Sequence, residues 1–176
     1  MYNKREGGGF MEKKPYLVSQ NTMALEPIYH EVFRTKIYDV QGIYYSTLTS
    51  MELLEAACLE RGSDYSGRIK AVRRKLGYLK KTPLMISRHE MIYAFPTKSP
   101  EDYDNVWIFH RHIQSFQALR RKVVAVVFAN EMTIEVNCSS YTFQTQREKT
   151  AQCLCHFSSP PFTKLHSSQK SNPVNT

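Results

Sequence analysis

A chain of 176 residues, 41% of them hydrophobic, has the size and apolar content for one domain with an ordinary buried core. Its 24 Lys and Arg against 16 Asp and Glu leave a formal charge of +8 and a pI near 9.3, which points to a polyanionic partner, with nucleic acid ahead of an anionic membrane surface. Residues 1–20 lack the apolar run of a signal peptide, and no window approaches the roughly 18 apolar residues of a membrane span, so a cytoplasmic chain with reduced thiols is expected.

Residues 1–24 are polar and contain Gly7-Gly8-Gly9, and residues 157–176 are rich in Ser, Pro, Asn and Thr; both ends are expected to be flexible, flanking a domain over 25–156. Segments 28–40 and 42–48 mix aromatic and β-branched residues around Gly42 and predict a hairpin or two adjacent strands. Thr49 and Glu52 have capping-box spacing ahead of Met51, Leu54 and Cys58, with Leu53 and Ala57 beside them, which predicts a helix that Gly62 ends.

A second amphipathic helix is expected from the spacing of Tyr65, Ile69, Val72, Leu76 and Leu79, with an N-cap at Ser63 or Ser66; Gly67 and Gly77 keep a short helix within an irregular loop as the alternative. Beyond Pro83, segments 84–86 and 91–95 predict a strand pair, and 98–105 an exposed loop. Segments 106–113 and 123–128 follow as strands, with a tight turn at Asn130-Glu131 into a strand over 133–138. Ser139 or Ser140 caps a last helix over 141–155. The sum is an α+β domain, a mainly antiparallel sheet with flanking helices.

The strongest chemical signal is segment 68–81, where Arg68, Lys70, Arg73, Arg74, Lys75, Lys80 and Lys81 occur without an acid among them. A solvated helix face mixes charge signs, whereas an all-cationic one releases counterions on meeting phosphates and suits nucleic acid. Arg120, Arg121 and Lys122 form a second candidate cluster, with a charged strand entry that discourages edge pairing as its plain reading. Gly62-Ser63-Asp64-Tyr65-Ser66-Gly67-Arg68 has small residues that admit a phosphate but lacks phosphate-loop spacing. His110 and His112 share one face if they lie on a strand, and Cys153-Leu154-Cys155-His156 carries metal-ligand types; both read more simply as structural residues. Glu101, Asp102 and Asp104 lack the turn glycine of a cation loop, and no nucleophile or nucleotide signature is present. Neither enzyme, metal nor cofactor is expected.

From Cys58 to Gln146 the chain resembles the ComK family of competence transcription factors. The resemblance is carried, in order, by Cys58, the segment from Gly62 to Arg68 and Lys81-Thr82-Pro83-Leu84-Met85-Ile86. It continues through Ile92-Tyr93-Ala94-Phe95-Pro96-Thr97, Trp107-Ile108 with His110 and His112, Phe128-Ala129-Asn130, and Tyr141-Thr142-Phe143-Gln144 with Gln146. It implies an activator of DNA-uptake genes that binds double-stranded, A/T-rich boxes through the minor groove as a homodimer or tetramer, and is controlled through a protease adaptor. Two departures stand out: Glu131 follows Asn130 where the family often has glycine, and no resemblance continues past Phe157. The second motivates an alternative expectation, a non-activating paralogue that acts by heterodimerising or by occupying the adaptor.

Overall fold

A computed structural model describes residues 15–158. Two antiparallel sheets and three helices form it. Strands β1 (Thr22–Pro27), β2 (Thr35–Asp39), β3 (Gly42–Ser46), β4 (Leu84–Ser87), β5 (Ile92–Pro96) and β6 (Trp107–Phe109) make one sheet in the order β3-β2-β1-β6-β5-β4. Strands β7 (Ile113–Arg120), β8 (Val123–Phe128) and β9 (Thr133–Val136) make the other, in chain order. Between β3 and β4 the chain runs from one edge of the larger sheet to the other through α1 (Ser50–Leu59) and α2 (Tyr65–Leu76), and α3 (Ser140–Ser158) follows β9.

Alternation along the strands decides what each face buries. On one face Leu25, Ile37, Leu84, Ile86, Ala94 and Trp107 pack against Leu53, Leu54, Ala57 and Ile69 of α1 and α2. On the other, Met23, Ala24, Phe95 and Ile108 pack against Val124, Val126, Phe128 and Ile134 of the smaller sheet and Phe143 of α3. A third cluster of Val72, Met85, Tyr93 and Cys153 joins α2 to α3 around the β4 edge. The larger sheet is therefore a middle layer, with α1 and α2 on one side and the smaller sheet with α3 on the other.

Both ends of α1 follow the local code. The Thr49 hydroxyl accepts from the Glu52 amide at 3.2 Å while the Glu52 carboxylate accepts from the Thr49 amide at 2.8 Å. At its far end Gly62, at φ 80, lets its own amide reach the Leu59 carbonyl and the Ser63 amide reach that of Cys58. Segment 65–76 is a regular helix, which removes the irregular-loop alternative. Its N-cap is Asp64 rather than Ser63 or Ser66, with Oδ1 accepting from the Gly67 amide at 2.7 Å. A Cβ at position 67 would lie 2.5 Å from that Oδ1, so the absent side chain is what admits the cap. Gly77, at φ 72, ends the helix, which leaves Leu79 outside it and 73% exposed.

Three expectations are corrected and one strand is added. Residues 22–24, read as part of a flexible end, begin β1, where Thr22, Met23 and Ala24 are buried between β2 and β6. Segment 28–40 is not one strand: residues 28–34 form a loop. Segment 106–113 does not stay extended, because residues 110–112 turn in a short 3-10 helix that carries the chain to the second sheet. Polar segment 113–120 is a strand, mostly exposed at a sheet edge. Phe157 and Ser158 continue α3, while the expectations for residues 1–14 and 159–176 lie outside the described residues.

The turn at Asn130-Glu131 is a three-residue loop. The Glu131 amide donates to Phe128 and the Phe128 amide to Met132, with Glu131 at φ 68. A left-handed non-glycine residue costs about 1–2 kcal/mol, partly offset by the greater chain entropy of glycine when unfolded. Glu131→Gly should therefore stabilise the domain by about 0.5–1 kcal/mol and raise the unfolding midpoint by about 1–4 °C. A lowered midpoint in a thermal melt would contradict this account of the turn.

Candidate nucleic-acid interface

Helix α2 buries Tyr65, Ile69, Val72 and Leu76 inward, so its cations are sorted by helical angle. Lys70 and Arg74 point away from the core and are exposed, as is Lys75. Together with Gly67 and Ala71 they line a shallow groove of about 470 Å³ whose other wall is Phe157 of α3. Arg68 faces the same side but is half-buried, its Nη2 donating to the Arg61 carbonyl at 2.8 Å and its Nε buried without a partner. It lines a second groove, of about 660 Å³, with Arg61, Arg88, His89 and again Phe157. Phe157 lines both grooves, which together make a surface of net positive charge beside β4, with Glu90, paired by Arg61, as its one carboxylate among the described residues. Among the described residues no α2 cation lies within ion-pair distance of a carboxylate.

The remaining predicted cations are elsewhere. Arg73 is on the opposite flank of α2, with Nε donating to Thr82 Oγ1 at 3.0 Å, and Thr82 in turn donating to the Tyr78 carbonyl at 2.6 Å. Lys80 and Lys81 belong to a loop clamped by α3. Gln146, buried, donates to the carbonyls of Lys81 at 2.7 Å and Pro96 at 3.1 Å, and Lys149 donates to the Lys80 carbonyl at 3.4 Å. Lys81 sits at φ 48, a strained conformation that the Gln146 bond helps to hold. Burial, and then the charge of Lys81, lower the Lys149 pKa. Arg120 ends β7, and Arg121 and Lys122 form the β7–β8 hairpin tip on the layer opposite α2. Arg120 reaches Glu135 at 3.3 Å with both side chains exposed, a pair of small energetic value.

Arg61, Arg88, His89 and Phe157 were not singled out from sequence. Arg61 donates to Glu90 through Nε and through Nη2, the latter at 3.2 Å, so the bond to Arg61 holds the Glu90 carboxyl below its usual range. This pair ties the end of α1 to the β4–β5 turn and brings Arg88 and His89 beside Arg68. No sequence spacing links residues 61, 68, 88 and 157; the sheet's edge does.

The other candidates separate. His110 and His112 lie in the 3-10 turn, not on one strand face, and His112 Nε2 bonds the Gln20 carbonyl at 2.6 Å. Burial lowers both imidazole pKa values, with Arg147 adding to the effect at His110. Cys153 is buried while Cys155 is exposed, so the two do not converge. Burial pushes the thiols of Cys58 and Cys138 up to about 11 and that of Cys153 up to about 12. Among the described residues no three His, Cys, Asp or Glu side chains converge as a metal-ligand set, and no helix is long and apolar enough to cross a membrane.

The profile of the ComK protein family matches residues 13–160, which takes in every described residue. The chain belongs to the ComK family. It is also similar to the competence transcription factor of Bacillus subtilis (strain 168), with 28% identity over 117 residues, covering 66% of this chain and 61% of that relative. The chain thus spans less than two thirds of the length of the curated relative it matches. No solved structure matches it. Within the ComK family, the ordered motifs now have places: Gly62 caps α1, Gly67 admits the Asp64 cap of α2, and Gln146 clamps the loop before β4.

Proposed function

We propose that the chain is a sequence-selective, DNA-binding transcription activator of competence genes, with no enzymatic activity. It reads A/T-rich boxes of duplex DNA through the minor groove, as a homodimer or tetramer. The observation that carries this reading is the unpaired cationic face of α2 in a member of the ComK family. Lys70, Arg74 and Lys75 stand around the small residue Ala71, so a sugar-phosphate ridge can lie between their side chains. Arginine suits the narrow, negative minor groove of A/T tracts, and Arg68, Arg74 and Arg88 are the arginines of this surface that are not paired with a carboxylate among the described residues, whereas Arg61 is held by Glu90. The hairpin tip, on the opposite layer, serves a second stretch of backbone when DNA bends or when protomers combine.

A minor-groove ligand of the distamycin class is expected to displace the protein from an A/T-box duplex, while a major-groove dye is not. Displacement by the major-groove dye alone would overturn the groove assignment. Supplied alone to cells carrying an A/T-box promoter fused to a reporter, the protein should raise transcription. Retained binding without activation would instead favour the non-activating paralogue.

A further inference from the structure

An apolar cleft lies away from the cationic surface, where β1 ends and β6 begins. It encloses about 520 Å³ between the loop after β1, the first residues of α1 and loop 98–105, with Trp107 on its floor. Two tyrosines stand at its mouth from separate loops. Tyr29 is 80% and Tyr103 74% exposed, and their rings meet edge to face with centroids 6.1 Å apart. Exposed aromatic rings of this size seldom stand together without a partner.

The charge of this cleft is opposite to that of α2. Glu31, Glu101 and Asp102 line it against one guanidinium, that of Arg34. His30 Nδ1 is already taken by the amides of Val32 and Phe33 at 3.1 and 3.2 Å. Such a rim repels a phosphate backbone and attracts a cationic segment, whose Lys or Arg heads also find the faces of Tyr29 and Tyr103. Pro27 and Pro100 add flat apolar wall, and the Ser50 hydroxyl, on the same wall, is buried with no partner. A polyproline-type strand leaves its carbonyls free and lies in aromatic grooves at low entropic cost.

We infer that this cleft is a docking site for an extended, proline-containing basic segment of a partner protein. The inference does not depend on the DNA reading, since cleft and α2 surface differ in charge and residues.

The test uses the full chain and a fluorescein-labelled peptide, Ala-Pro-Pro-Leu-Pro-Pro-Arg-Lys-Arg, read by fluorescence anisotropy, with Glu replacing its three cations in a control. The basic peptide should bind and the acidic one should not. Tyr29→Ala and Tyr103→Ala, at exposed positions that leave the core intact, should each weaken binding about tenfold. Glu101→Lys with Asp102→Lys should do so by at least as much, and Arg74→Glu should not weaken it. Absent binding, equal binding of both peptides, or equal loss in Arg74→Glu would overturn the assignment. Self-association seen by sedimentation and abolished by Tyr103→Ala would give the cleft to a second copy. Binding that appears only after removal of residues 159–176 would give it to the chain's own end. Either result overturns a partner protein as the occupant.

Discussion

Reversing Lys70, Arg74 and Lys75 together to Glu should lower affinity for A/T-box DNA by at least about 100-fold at physiological salt and leave the fold intact. A cation about 4 Å from a phosphate in water gains about 1 kcal/mol, so three lost contacts cost about 3 kcal/mol before repulsion is added. All three side chains are exposed and form no ion pair among the described residues, so nothing in the core depends on them. The same is not true of Arg68 and Arg73. Arg68 donates to the Arg61 carbonyl and Arg73 to Thr82, so charge reversal there mixes loss of DNA contact with loss of structure. Gel-shift titration of the triple variant, beside a circular-dichroism melt, checks both halves of the prediction. Retained affinity would move the interface to Lys80, Lys81 or the hairpin tip.

Phe143→Ala should destabilise the domain by about 3–5 kcal/mol, a large part of the roughly 5–15 kcal/mol that a domain of ordinary stability has. Phe143 is fully buried, its ring 5.4 Å from Phe95 of the larger sheet and 4.7 Å from Phe116 of the smaller one, centroid to centroid. It is the point where α3 locks the two sheets together, and the cavity left by Ala has rigid walls on both sides. Phe143→Leu, which keeps most of the volume, should cost much less. Urea unfolding measures the difference, and a loss below about 1 kcal/mol for the Ala variant would show that α3 is not docked between the sheets in this way.

Local signals carried much of this architecture. The capping box at Thr49 and Glu52, the 3.6-residue recurrence from Tyr65 to Leu76 and the Asn130-Glu131 turn are written in neighbouring residues, and each stands where its chemistry places it. β1 was missed because Ala24, Glu26 and Pro27 are poor strand formers; position between β2 and β6 overrides their propensity. β7 was missed for a different reason: only Ile113 and Phe116 turn to the core, a bulge between Ile113 and Ser115 breaks their period-two spacing, and Gln114, Ser115 and Gln117 around them are polar. The strand order β3-β2-β1-β6-β5-β4 depends on pairings far apart in sequence, which no local pattern encodes.

The candidate site divides along the same line. Its all-cationic character was legible in segment 68–81, but the grouping was not. The seven cations become an outer face at Lys70, Arg74 and Lys75, a half-buried contact to the Arg61 carbonyl at Arg68, a structural flank at Arg73 and a clamped loop at Lys80 and Lys81. Arg61, Arg88 and His89 join through the β4 edge and the Arg61–Glu90 pair.

The most direct test of the central claim is a gel-shift titration of the chain against A/T-box and G/C-rich duplexes over a range of salt concentrations. Selective, tight binding to the A/T-box duplex is predicted. Log affinity should fall linearly with log salt, by about 0.9 per phosphate contact, and the slope should flatten by about 3 in the Lys70, Arg74 and Lys75 triple variant. Equal affinity for the two duplexes at physiological salt, or an unchanged slope in the triple variant, would contradict it.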